Sequence, residues 1–134
     1  MSRSIVLSVS VMLSFLAAGC TSSSEPFKEW GAAQKYEDYV PPNSQIVAEG
    51  AGQLTFTPST QGTLYLLDLD DMRKVKDLMT PHVVIAAAPQ PGPDPIVFDP
   101  NTAKFTRKGR NPLKLTKVIP GHRHQLRWQP LKTS

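Results

Sequence analysis

The chain has 134 residues and a formal net charge of +4, enough for one small domain with its own core and too short for two. Its single cysteine excludes an internal disulfide framework. The absence of a Gly-rich phosphate loop and of a nucleophile-elbow serine sets nucleotide binding and serine hydrolysis aside.

The first twenty residues carry an address. Arg3 supplies a positive charge, Ile5 to Leu16 form an apolar run broken only by serines, and Ala17-Ala18-Gly19 is a small-residue cleavage site, the pattern of a secretory signal. The run is too short for a membrane-spanning helix, which needs about 20 predominantly apolar residues. Leu16-Ala17-Ala18-Gly19-Cys20 resembles the lipobox of bacterial lipoproteins, with Ala17 where a larger aliphatic residue is more usual. The resemblance implies that residues 1–19 are a cleaved signal peptide and that Cys20 becomes a lipidated N-terminus, as by palmitate. The protein is then exported and held to a membrane, the outer one if the host has two, since Thr21 rather than an aspartate follows Cys20. Cleavage without lipidation is the competing reading, and it leaves a free thiol in an exported protein.

Residues 20–42 read as a tether. Thr21 to Ser24 are small and polar, and suit a solvated spacer. Phe27, Trp30, Ala33, Tyr36 and Val40 recur at helical spacing up to Pro41-Pro42, which stops any helix. These aromatics suit either a membrane interface or an edge of the domain, and their weight in small cores favours the edge.

Residues 43–134 read as a β domain. Gln45–Glu49, Gln53–Thr57, Thr63–Leu69, Val83–Ala88, Ile96–Asp99, Ala103–Arg107, Leu113–Ile119 and His122–Trp128 are short, rich in β-branched or aromatic residues and separated by turn signals. Met72 to Met79 fits a strand around Val75, with a helical turn as the alternative. Leu64 and Leu66 point one way along Thr63–Leu69 while Tyr65, Leu67 and Leu69 point the other, so that strand is expected to be central and covered on both faces. Pro89, Pro91, Pro93 and Pro95 form a stiff, donor-poor connection. The fold expected is all-β: a small antiparallel β-sandwich or partly open barrel of seven or eight short strands.

Three groups carry candidate chemistry. Asp68, Asp70, Asp71 and Asp77 offer hard oxygens, but counted from Asp68 the sixth and twelfth places of a calcium loop hold Arg73 and Met79, so a solvated strand end is expected. His122 and His124 lie two apart on one strand face, and with His82 they form the ligand set of a small metal-dependent hydrolase. Because the face continues through Leu126 and Trp128, packed histidines are preferred, with no metal and no cofactor. After Asp99 there are no acids and nine basic residues. Of these Arg107, Lys108, Arg110, Arg123 and Arg127 are the candidate ligand-binding patch for an anionic envelope polymer, lipid headgroups or an acidic protein, with a merely solvated face as the alternative. Nucleic acid is not expected, since no binding motif is present and only Phe105 and Trp128 are available for stacking there. The function expected is therefore a lipid-anchored, non-catalytic envelope domain, with the histidine hydrolase as the alternative.

Overall fold

The computed structural model describes residues 39–131. The expected signal peptide, Cys20 and residues 20–38 of the expected tether, with Phe27, Trp30, Ala33 and Tyr36, lie outside the described residues. Eight strands follow in order: β1 (Gln45–Gly50), β2 (Leu54–Phe56), β3 (Gly62–Val75), β4 (Leu78–Ala87), β5 (Ile96–Asp99), β6 (Lys104–Arg107), β7 (Leu113–Lys114) and β8 (His124–Pro130). They form two four-stranded antiparallel sheets, ordered β1-β8-β3-β4 and β2-β5-β6-β7. The all-β expectation holds, and the architecture is a sandwich.

Strand alternation builds the core. Leu64 and Leu66 on β3 pair with Trp128 and Leu126 on β8, and these four meet Leu54, Ile96, Phe98, Phe105 and Leu113 of the opposite sheet in one apolar cluster. Phe56 of the second sheet packs across to Trp128 of the first, with ring centroids 4.9 Å apart, while Phe98 and Phe105, 5.4 Å apart, pair within the second sheet. β3 lies between β8 and β4 as expected of a central strand, and Leu67 on its other face is also buried. Gly62 opens β3 where a side chain has no room: an added Cβ would lie 2.5 Å from the Trp128 ring and 2.6 Å from the Gln129 carbonyl oxygen.

Three boundaries differ from expectation. Met72 to Met79 is a hairpin, not one strand: β3 runs to Val75, the chain reverses at Lys76-Asp77, and β4 begins at Leu78. Both turn residues have positive φ, 49° and 67°, as a two-residue primed turn demands, but neither is the Gly or Asn that would announce it in a sequence. The expected strand Leu113–Ile119 stops at Lys114; Lys117 adopts a φ of 62°, which breaks an extended run. The last strand starts at His124 rather than His122, whose amide instead donates to the Ile119 carbonyl in a turn.

An enclosed leucine of β3 and an exposed one of β4 give a stability test. Leu66→Ala is expected to cost about 2 to 5 kcal/mol, because a fully enclosed leucine leaves a cavity, whereas Leu78→Ala, at 67% exposure, should stay within about 0.5 kcal/mol. Denaturant titration of both variants checks the contrast.

Candidate functional site

The polar residues with chemical potential gather at one end of the inner face, around Asp68. Two residues on from Leu66, Asp68 keeps the inward phase of β3. Its register partners are His82 on β4 and His124 on β8, so three adjacent strands place histidine, aspartate and histidine in a row. All three are enclosed: Asp68 and His124 at 0% exposure and His82 at 2%. His122 reaches the same carboxylate from the turn before β8, its Nδ1 2.8 Å from Oδ2 and 3.1 Å from Oδ1. The Asp70 amide also donates to Oδ1, at 3.0 Å.

His122 and His124 are in opposite electrostatic situations. The hydrogen bond to Asp68 raises the pKa of His122 above the ordinary 6.5, with further help from the charges of Asp68, Asp70 and Asp71. Desolvation lowers that of His124. His124 Nε2 is 4.0 Å from Asp68 Oδ2, neither of its ring nitrogens has a hydrogen-bond partner among the described residues, and its ring lies edge-on to Phe98 at 5.2 Å. The Asp68 carboxyl thus favours the charged form of His122, while burial favours the neutral form of His124.

A second contact closes the end of the sandwich. Between the Asp68/His82 pair and the Met72/Pro81 pair the β3–β4 register jumps, so Leu69 to Asp71 bulge away from β4. The bulge is tied to the turn before β8: the Leu69 amide donates to the Arg123 carbonyl at 2.9 Å, and Asp70 accepts from the Arg123 amide at 2.7 Å and from its guanidinium at 3.0 and 3.2 Å. These bonds hold the Asp70 carboxyl below the usual carboxylate range.

The chemistry open to this arrangement is limited. A buried carboxylate that fixes one ring nitrogen of a partly exposed histidine can orient a general base; it can equally serve to neutralise the carboxylate. Among the described residues no hydroxyl or thiol is hydrogen-bonded to His122, and no group of three His, Cys, Asp or Glu is placed to hold a metal ion. His82, expected as the third member of the histidine set from another strand, is brought opposite Asp68 by strand register. The calcium-like acids are dispersed, with Asp68 inside, Asp70 on Arg123, Asp71 3.6 Å from Arg73 and Asp77 3.6 Å from Lys74.

The five expected patch cations do not share a surface. Arg107 is buried, and its guanidinium donates to the carbonyls of Gln90, Gly92 and Asp94 at 2.5, 3.3 and 3.0 Å. It serves the proline-rich connection, where carbonyls outnumber donors. This corrects the expectation that it is exposed for a ligand. Arg123 is held by Asp70, and half-buried Arg127 donates to the Ser44 carbonyl at 3.3 Å. Lys108 and Arg110 stand exposed on the β6–β7 turn. The ring contacts fix the ends: Phe98 meets His124, and Phe56, paired with Ile96, meets Trp128. Arg107 pairs with Ile96, so the β6–β7 turn lies at the Trp128 end, opposite Arg123.

Comparison with known protein families, characterised proteins and solved structures yields no match.

The asymmetry of the histidines is directly measurable. In a proton NMR titration the His122 ring should titrate above 6.5 and the His124 ring below it, and Asp68→Asn should return His122 toward 6.5. In linkage terms, the His122 contribution to stability is full below 6.5 and disappears as pH rises through its raised pKa. The His124 contribution is present above 6.5 and is lost as pH falls toward its lowered pKa. Identical midpoints for the two rings would contradict the assignment.

Proposed function

We propose that this chain is an exported lipoprotein whose small β domain is non-catalytic and holds an anionic component of the envelope close to the membrane. The observation that carries the anchoring is the Leu16 to Cys20 lipobox behind an apolar leader. Two or more acyl chains on one residue hold a protein stably, where a single chain binds only marginally.

The non-catalytic half of the reading is supported by where the reactive side chains are committed. Asp68 is taken by His122, Asp70 by Arg123, and Arg107 by loop carbonyls. The alternative, a metal-dependent hydrolase using His82, His122 and His124, is favoured by their convergence on Asp68. It is disfavoured because His82 and His124 are closed off from solvent, leaving a metal-bound water on them without a path to substrate.

Lys108 and Arg110 are the exposed cations on the β6–β7 turn, and with the mature charge asymmetry they suit an anionic envelope polymer. A lipid headgroup or an acidic protein satisfies the same chemistry. Binding should fall steeply with salt, since exposed charges are screened beyond about 10 Å at 0.1 M.

Two outcomes test the proposal. Wild-type protein should fractionate with membranes and carry a lipidated N-terminal cysteine by mass spectrometry, while Cys20→Ser should fail to mature by that route; unlipidated mature wild type in the soluble exported fraction would refute the anchor. Binding of the domain to anionic cell-wall polymer should be lost when Lys108 and Arg110 are both changed to serine, and equal binding by that variant would leave the turn as solvated surface.

A further inference from the structure

The β3–β4 hairpin outruns the sandwich. β8 pairs with β3 only as far as Asp68, and beyond the bulge the four pairs Met72/Pro81, Arg73/Thr80, Lys74/Met79 and Val75/Leu78 continue as a two-stranded ribbon. At about 3.3 Å per residue it projects some ~13 Å. Its side chains are unusual for a solvated ribbon: Leu78 is 67% exposed, Met79 60% and Met72 43%. Around them stand Arg73, Lys74 and Lys76, set against Asp71 and Asp77, so the tip has a small positive excess. Leu78 follows directly on the Lys76-Asp77 turn, whose two left-handed residues keep the reversal tight and place it at the extremity.

The first described residues, ahead of β1, lie near the base of this ribbon. Tyr39 and Val40 line a cleft of about 170 Å³ together with Thr80 and Pro81 at the ribbon base, and Tyr39 is itself 63% exposed. Residues 21–38 separate Tyr39 from Cys20, a span of at most ~65 Å when fully extended, so the anchored bilayer lies within reach of the ribbon end. The β6–β7 turn with Lys108 and Arg110 is at the far end.

We propose that the ribbon is a second membrane contact, its tip of Leu78 and Met79 seated in the headgroup layer of the bilayer that holds Cys20, with Lys74 and Lys76 meeting anionic lipid. This rests on the lipid-anchor reading above. An interfacial element buries its apolar side chains about 5 to 10 Å deep, which the projection of the ribbon accommodates without submerging the sandwich. The contact fixes orientation, turning the Lys108 and Arg110 end away from the membrane.

Because lipidation consumes the one native thiol, single labelling sites are available. The full lipidated protein, carrying a polarity-sensitive fluorophore on Leu78→Cys or, as reference, on Arg110→Cys, is placed in protein-free vesicles of phosphatidylcholine and phosphatidylglycerol. The expected result is a blue-shifted emission and loss of quenching by aqueous iodide at position 78, with neither at position 110, and reversal at position 78 when Met79→Ser, Lys74→Glu and Lys76→Glu are added. Position 78 is exposed, so folding should survive labelling, which thermal unfolding checks. A probe at 78 that stays fully quenchable on a protein whose N-terminal cysteine is shown to be lipidated overturns the ribbon contact alone. A response in native membranes but not in lipid vesicles overturns it in favour of a protein partner. Absence of lipid on Cys20 removes the anchor and the ribbon contact together.

Discussion

A carboxylate enclosed at the end of an apolar core sets the terms for this fold. Asp68 keeps the inward phase of β3 after Leu64 and Leu66, and a buried charge is tolerated only with a partner and with its remaining lone pairs satisfied. His122 supplies the partner and the Asp70 amide fills a further site. Meeting those needs draws the turn before β8 over the end of the sheet, forces the Leu69 to Asp71 bulge, and brings Asp70 onto Arg123. From that clamp the ribbon departs.

Much of the framework was legible in the sequence because it depends on alternation. The centrality of β3 follows from apolar residues in both phases, and the hairpins of the second sheet follow from short β-rich runs between turn residues. The hairpin at Lys76-Asp77 was not legible, since its left-handed turn uses residues that signal no turn. Arg107 was misread for a related reason. Its neighbours Lys108 and Arg110 are solvated, and only the fold shows that a proline-rich loop with few donors folds back over its guanidinium.

The candidate site was half legible. The two-residue spacing of His122 and His124 suggested a shared strand face, but His122 belongs to the turn, and the pair meets through Asp68. The continuation of the Leu64, Leu66 phase to Asp68 was a signal available in the sequence; the neighbouring acids made the stretch read as a solvated strand end instead. His82 required strand register, which is a property of the sheet and not of any local pattern. On the proposed reading the domain has two working ends: the Asp68 clamp holds the apolar ribbon beside the tether, and the β6–β7 turn presents Lys108 and Arg110 to whatever anionic polymer lies beyond.

The central physical claim is that the Asp68–His122 pair clamps the ribbon onto the sandwich, and hydrogen exchange tests it at single amides. In Asp68→Asn the amides of Leu69 and Arg123, which bond to Arg123 and Asp70 across the clamp, should lose protection while those of Leu64 and Leu66 within the four-stranded sheet keep theirs. Unchanged exchange at Leu69 and Arg123 in that variant would mean that the ribbon is held by something other than the buried carboxylate.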